Sequence, residues 1–123
     1  MAWLDPLLVW GVTIFFLGMG LVGLVRPRSI PAMFGLHETT AEARSEVRAV
    51  YGGFGVMIAL ALAWSRVAEA GEARGVRIAV AAALVGMAAG RVIGFTVERP
   101  KRFYPVVFFL AVELALAVAV APR

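Results

Sequence analysis

The chain has 123 residues, of which 62% are hydrophobic and 16% charged, and its formal net charge is +4. A soluble domain is about 45–50% apolar, so this composition, with a mean hydropathy of +0.89, indicates a protein embedded in lipid. The sequence has no cysteine, which excludes disulfides and thiolate chemistry, and a single histidine, which argues against a histidine metal site. So small a net charge, spread over loops, is typical of lipid headgroup contact rather than nucleic-acid binding.

The first predicted span covers about residues 6–25. Trp3 and Trp10 suit a membrane interface. No basic segment precedes the apolar run and no clear cleavage site follows it, so we expect a retained span rather than a signal peptide. In the connector that follows, residues 30–36 predict one apolar turn that lies in the interface and is stopped by Gly35.

The second helix is predicted to begin with a capping box, in which Thr39 is the cap and Glu42 follows three residues later. Its membrane-crossing part covers about residues 45–66. A short polar connector leads to a third span at about 75–97, and a basic turn leads to a fourth at about 103–120. Each of the four spans is long enough to cross a hydrocarbon core of about 30 Å.

These elements predict an all-α polytopic membrane protein, in which residues 1–123 form a single domain of four transmembrane helices in an antiparallel bundle. A short interfacial segment is expected between helices 1 and 2. An even number of crossings puts both termini on one side of the membrane. Because connectors 1 and 3 carry more arginine and lysine near the span ends, the positive-inside rule favours cytoplasmic connectors and periplasmic termini.

Two charges lie well inside the predicted spans. Arg91 is about seven residues from the turn at Glu98, roughly 10 Å deep at 1.5 Å per residue. Glu113 is about ten residues from Phe103, roughly 15 Å deep and near the midplane. A lone charge at this depth costs at least about 2.5–3.5 kcal/mol, so we expect Arg91 and Glu113 to pair across the hairpin of spans 3 and 4.

Further polar groups enter from the same side of the membrane. Glu46 and Arg48 are two residues apart and point to opposite faces of a helix, so they cannot neutralise one another. Tyr51 lies one turn beyond Arg48 and can donate a hydrogen bond. Glu46, Arg48, Tyr51, Arg91 and Glu113 therefore form a candidate ligand-binding or buried charge cluster. The structural alternative has equal weight, because buried ion pairs also fix helix register.

Five glycines are predicted to be helix-packing positions. Gly52 and Gly53 follow the charged segment, and Gly86, Gly90 and Gly94 recur every four residues in span 3, a pattern that lets helix backbones approach closely. The sequence shows no nucleophile with a base, no phosphate loop and no metal-ligand motif. We therefore expect no enzyme activity, no catalytic residue, no cofactor and no metal.

Three segments of the sequence resemble the bacterial domain of unknown function family 4345. They are Ser45-Glu46-x-Arg48-Ala49-x-Tyr51-Gly52-Gly53, Gly90-Arg91-x-x-Gly94 and Glu113-Leu114. The resemblance covers nearly the whole chain and implies a small four-helix protein of the bacterial cytoplasmic (inner) membrane. It implies no activity, but it groups the same charged residues that depth brings together.

The sequence favours one function and leaves two alternatives open. The first is binding of a lipid or a small amphipathic or anionic ligand, with Arg48 and Arg91 facing the anionic group and the two glutamates orienting them. The second is proton-coupled transport, with Glu113 loading a proton beside Arg91, although the small multidrug transporters keep their essential carboxylate in the first span. The third is a structural or assembly role in which the charges only lock the helices. The expected partners are membrane lipids, with a homo-oligomer left open and no nucleic acid.

Overall fold

The computed structural model describes residues 2–123, which form helices and no strand. The composite helix Ala41–Ser65 runs without a break through two α-helical parts and a π-helical segment between them. The elements are α1 (Leu4–Val25), α2 (Ser29–Met33), α3 (Ala41–Val47), the π-helical segment (Arg48–Gly53), α4 (Phe54–Ser65), α5 (Ala70–Val97) and α6 (Val106–Val120).

Three helices are long and apolar enough to cross a membrane, namely α1, the composite helix Ala41–Ser65 and α5. The fourth predicted span, 103–120, is shorter than expected, because α6 begins at Val106 and has 15 residues. That length gives about 22 Å of helix at 1.5 Å per residue. The late start has a local cause, since the residue before Pro105 is disfavoured in the α conformation.

The start of α3 differs by one residue from the prediction. Thr40, not Thr39, is the cap, with extended backbone angles (φ −80°, ψ 166°) and a side chain that accepts a hydrogen bond from the Ala43 N–H. The predicted capping box with Glu42 is therefore wrong. Thr39 instead accepts hydrogen bonds from Arg44, through its carbonyl (2.6 Å) and its hydroxyl (3.3 Å).

Two other helix ends bear on the connectors. The short helical turn predicted after the first span is present as α2, and Gly35, with a φ of +87°, follows it in the left-handed conformation that favours glycine. α5 begins at Ala70, five residues before the predicted start of span 3, and passes through Gly71 and Gly75. Each glycine costs a helix only about 1 kcal/mol, which packing along the rest of the helix offsets.

The apolar core lies in one half of the structure. Helix α1 packs against α4, α4 against α5, α5 against α6 and α6 against α1. Core side chains come from the first part of α1 and α5 and from the last part of α4 and α6, as Val12, Phe16, Leu62, Leu84 and Val120 show. Because neighbouring helices run in opposite directions, these parts lie together at the end that holds the chain termini. The other half holds the cavity described below.

Glycines bring α1 close to the composite helix. A Cβ built on Gly23 would lie 2.7 Å from the Gly52 nitrogen, and one built on Gly20 would lie 2.5 Å from the Val56 nitrogen. A Cβ on Gly55 would lie 2.9 Å from Gly20 Cα. These four glycines therefore allow a backbone contact that no other residue type would permit, and Gly52 is one of the predicted packing positions.

The glycine repeat in span 3 does not pack within this chain. A Cβ on Gly86, Gly90 or Gly94 would meet no atom within 4 Å, and one on Gly53 would meet only the Arg48 carbonyl oxygen at 3.8 Å. The prediction that these four glycines hold helices together is therefore wrong for the single chain. Spacing alone shows that small residues share one helix face, but it does not show which face a neighbouring helix covers.

Candidate functional site

A buried ion pair joins α5 to α6. Arg91 donates from Nε to Oε1 of Glu113 (2.8 Å) and from Nη2 to Oε2 (2.7 Å). The Glu113 side chain is 2% exposed and that of Arg91 is 22% exposed. Both carboxylate oxygens are thus held by one guanidinium, in the fork geometry that arginine offers to carboxylates. The pairing that depth predicts from the sequence is present in the structure.

Two aromatic rings lie close to the Arg91 guanidinium. Its Cζ atom is 5.7 Å from the ring centroid of Phe109 and 6.0 Å from that of Phe34. Phe109 precedes Glu113 by one turn of α6, and Phe34 follows α2. A cation within about 6 Å of an aromatic ring is stabilised by the ring quadrupole. Three side chains, Glu113 and Phe109 from α6 and Phe34 from the residue after α2, therefore hold the guanidinium in place.

The ion pair lines a cavity of about 320 Å³. The wall of this cavity comes from α1, from α2 and the residue after it, from the π-helical segment, from α5 and from α6. Its polar members are Tyr51, Arg91 and Glu113. The apolar members are Phe15, Gly18, Met19, Val22, Ile30, Met33, Phe34, Met87 and Phe109.

Two polar groups of the cavity make no hydrogen bond within residues 2–123. They are Nη1 of Arg91 and the Tyr51 hydroxyl, whereas the other guanidinium donors facing Glu113 are used. Neither group is sealed off, because every fully buried side-chain nitrogen or oxygen in the described chain has a partner. Arg91 and Tyr51, which both line the cavity, therefore keep an N–H donor and a hydroxyl available for a further hydrogen bond. Because Glu113 balances the charge of Arg91, the cavity offers hydrogen bonds rather than an unpaired positive charge.

A more open groove leads from the cavity along α5. It has a volume of about 660 Å³ and shares Tyr51, Met87 and Arg91 with the cavity, and it extends to Glu98 and Pro100. Among the hydrogen bonds of residues 2–123, Arg91 donates to Glu113 and not to Glu98. Glu98 therefore lines the groove without taking part in the ion pair of Arg91.

The structure brings together three of the five residues in the predicted charge cluster, namely Tyr51, Arg91 and Glu113. Glu46 and Arg48 are exposed, and neither forms an ion pair in the part of the chain that the structure covers. Their predicted place in the cluster is therefore corrected. Depth along the membrane puts all five at similar levels, but it does not fix the direction in which each side chain points.

The π-helical segment explains why Arg48 and Tyr51 separate. The Phe54 N–H reaches back to the Ala49 carbonyl, five residues earlier, so the turn is wider than an α-helical turn. In an α-helix, residues three apart lie on the same face. A π-helical turn contains more residues, so Arg48 and Tyr51 are rotated away from each other around the helix axis. Tyr51 lines the cavity, whereas Arg48 lines a different cleft. Single π-helical turns are frequent at functional sites.

A second polar cluster, which the sequence analysis missed, lies at the opposite end of the helices. Arg77 donates to both carboxylate oxygens of Asp5 (2.9 and 2.7 Å) and from Nε to the Val120 carbonyl (2.9 Å). Arg123 also donates to Asp5 (2.9 Å). The cluster ties the start of α1 and α5 to the end of α6 and satisfies carbonyls that a helix end leaves unpaired. The sequence held one signal for this cluster, because the four predicted spans would put Asp5, Arg77 and Arg123 on the same side of the membrane.

The sequence analysis also missed the apolar lining of the cavity. Met19, Met33 and Met87 come from three different elements and meet at its wall. Methionine is flexible and polarisable and is common at surfaces that accept varied apolar ligands. No spacing in the sequence distinguishes these methionines from ordinary apolar residues, because they are neighbours only in the folded chain. Within residues 2–123 no group of three or more histidine, aspartate or glutamate side chains could hold a metal ion.

Comparison with known proteins agrees with the resemblance seen in the sequence. The model of the family described as "Domain of unknown function (DUF4345)" matches residues 6–121. Neither the curated proteins nor the solved structures gave a match. The matched region takes in α1 to α6 apart from the first two residues of α1, and it includes every residue of the cavity. The chain therefore belongs to the DUF4345 family.

Proposed function

We propose that this chain is a four-span integral protein of the bacterial cytoplasmic membrane that binds an amphipathic ligand, a lipid or a small molecule, beside Arg91 and Glu113. The observation that carries the proposal is the cavity, whose walls are apolar except for the ion pair and Tyr51. A ligand with a hydrocarbon part and an oxygen-bearing head matches that division. The apolar part would contact the walls, and the head would accept from Arg91 Nη1 and meet the Tyr51 hydroxyl.

The size and charge of the cavity narrow the ligand class. A volume of about 320 Å³ lies at the lower end of ligand pockets, which span about 300–1,000 Å³. A small amphipathic molecule or one end of a lipid chain therefore fits better than a whole phospholipid. Because the ion pair carries no net charge, a carboxyl, hydroxyl or phosphate oxygen would be bound through hydrogen bonds. A hydrogen bond to a charged donor contributes about 1.5–3 kcal/mol.

The four-span topology belongs to the same proposal. α6 alone is short, but with the flanking residues 103–105 and 121–123 the last segment approaches the length of a tilted or locally thinned crossing. Phe103 and Tyr104 are exposed before α6 begins, as aromatic residues at a membrane interface are. The arginine and lysine excess in connectors 1 and 3 supports an antiparallel bundle with cytoplasmic connectors and periplasmic termini.

One alternative has support from a specific observation. Both oxygens of the buried Glu113 carboxylate are occupied by Arg91, which is the arrangement expected of an ion pair that only fixes helix register. In that case the chain would be a structural or assembly protein. Proton-coupled transport has no comparable support from an observation of this structure.

The cavity can be filled without touching the ion pair. Gly18 lines it, and a Cβ on Gly18 would meet no atom within 4 Å. Gly18→Leu therefore adds an apolar side chain where a ligand would lie. Gly11 is on the same helix and also has no neighbour within 4 Å, but it does not line the cavity. Gly11→Leu is thus a matched control for the added side chain.

Native mass spectrometry of gently extracted protein tests the proposal. We expect a discrete adduct on the wild-type chain and on Gly11→Leu, and at least about tenfold less of it on Gly18→Leu. A bare wild-type chain, or equal occupancy in all three proteins, would show that the cavity is not a ligand site and would favour the structural alternative.

A further inference from the structure

A cleft rich in arginine lies beside the end of α1. It has a volume of about 630 Å³, and Arg26, Arg28, Arg44 and Arg48 line it. None of these arginines forms a salt bridge with a carboxylate in residues 2–123, where the salt bridges involve other arginines. Two of the four positive charges, Arg26 and Arg28, lie in the connector between α1 and α2, and the other two, Arg44 and Arg48, lie in the composite helix. The folded chain therefore concentrates unpaired positive charge at one place.

The helix α2 separates this cleft from the cavity. Ile30 and Met33 line the cavity, whereas Ser29 and Ala32 line the cleft. A ligand in the cavity would therefore leave the arginines uncovered. The cleft is therefore a separate candidate binding site, and its ligand does not depend on the function proposed for the cavity.

The arginine side chains are placed for anion binding. Arg44 is fixed by hydrogen bonds from Nη1 to Thr39. Arg26, Arg28 and Arg48 make no side-chain hydrogen bond within residues 2–123, and all three are exposed. A guanidinium presents parallel N–H donors that match the oxygens of a phosphate group. Several guanidinium groups around one cleft thus suit a phosphate or phosphodiester.

The position of the cleft identifies the source of that phosphate. Val25, the last residue of α1, lines the cleft and is 74% exposed. α1 is one of the helices long and apolar enough to cross a membrane, so its end lies at the level of the lipid headgroups. Basic pockets at this level bind anionic headgroups. We propose that the arginine cleft binds the phosphate of an anionic phospholipid such as phosphatidylglycerol.

The test uses two charge-matched double variants. Arg28→Gln with Arg48→Gln removes two cleft charges, whereas Arg99→Gln with Arg102→Gln removes two charges from the connector between α5 and α6. All four side chains are exposed and none makes a hydrogen bond within the described chain, so both variants should fold like the wild type. Circular dichroism and the melting temperature check this.

Binding is measured by native mass spectrometry of delipidated protein titrated with phosphatidylglycerol, with phosphatidylcholine or with inorganic phosphate. We expect the wild type to prefer phosphatidylglycerol, the cleft variant to bind it at least about tenfold more weakly, and the connector variant to stay within about twofold of the wild type. The Gly18→Leu variant should keep this binding, so the failure of the cavity proposal can be recognised separately.

Three outcomes would overturn the proposal. Equal weakening in both double variants would mean that only general electrostatic attraction acts. No preference of the wild type for phosphatidylglycerol would mean that the arginines serve membrane orientation alone. Displacement of the lipid by millimolar inorganic phosphate would mean that the cleft recognises the free anion and not a headgroup.

Discussion

Arg77 and Arg91 lie on the same face of α5, fourteen residues apart (77 to 91), which is close to four turns of about 3.6 residues. Each donates hydrogen bonds to both oxygens of one carboxylate, Arg77 to Asp5 and Arg91 to Glu113. Buried side chains such as Leu84 lie between the two pairs. One helix is thus tied to α1 at one end and to α6 at the other, and the ion pairs fix its register.

Loss of Arg91 should destabilise the chain strongly. Arg91→Met leaves the Glu113 carboxylate, which is 2% exposed, without a partner in an apolar surrounding. Breaking one side of a buried pair costs about 3–5 kcal/mol. The free energy of unfolding in mixed micelles measures the effect, and Arg99→Met, at an exposed arginine without an ion pair, is the control.

The double replacement Arg91→Met with Glu113→Leu should recover most of that loss. It removes both charges together, and buried pairs are often replaced by apolar residues at little cost. The comparison of single and double variants also distinguishes the ligand-binding proposal from the structural alternative. Recovery of stability with loss of the co-purified adduct supports a binding site, whereas a double variant as unstable as the single one contradicts the role of the pair.

Asp5→Asn should weaken the end of the structure that holds the termini. Arg77 and Arg123 would lose their charged acceptor, although Arg77 would keep the Val120 and Ala121 carbonyls. We expect a loss of about 1–2 kcal/mol, because Asp5 is partly exposed and charged hydrogen bonds contribute about 1.5–3 kcal/mol. Unfolding in mixed micelles gives the value, and Glu72→Gln, with no ion pair in the described chain, should leave it unchanged.

The glycines divide into two groups with opposite expected behaviour. Gly23→Ala would place a Cβ 2.7 Å from a backbone nitrogen of Gly52, so α1 would have to move away and stability should fall. Gly86→Ala and Gly90→Ala meet open space, and alanine in a helix is favoured over glycine by about 0.5–1 kcal/mol. The melting temperatures of the three variants test both expectations. A Gly23→Ala protein as stable as the wild type would contradict the close contact between Gly23 and Gly52.

Tyr51→Phe should leave the fold intact and lower ligand occupancy in the cavity. The hydroxyl makes no hydrogen bond within residues 2–123 and is not sealed off from its surroundings, so its removal costs the folded chain little. If it contacts the ligand, the loss of one neutral hydrogen bond, about 0.5–1.5 kcal/mol, would weaken binding by roughly two- to tenfold. Native mass spectrometry compares the adduct with that of the wild type. An unchanged adduct would remove Tyr51 from the site.

The buried pair of Arg91 and Glu113 can be inferred from the sequence alone. The rise of 1.5 Å per residue and the short turn before α6 set the depths of Arg91 and Glu113, and the cost of a lone charge at that depth requires a partner. The second pair could not be found in this way, because Asp5 and Arg77 lie at the ends of their predicted spans, where a lone charge does not require a partner. Glu46 and Arg48 could not be assigned in this way, because depth says nothing about direction around a helix.

The sequence by itself determined the class of protein, the approximate extent of the helices and the level of the buried charges, because apolar runs and helical rise are local properties. Only the tertiary structure decided which residues share the cavity, which glycines make the close contact and where the arginine cleft lies. These features depend on how each helix is rotated against its neighbours. When a helix is apolar nearly all round, its sequence does not indicate which face packs against a neighbour. In the composite helix, the π-helical segment Arg48–Gly53 also changes the direction in which the side chains after it point.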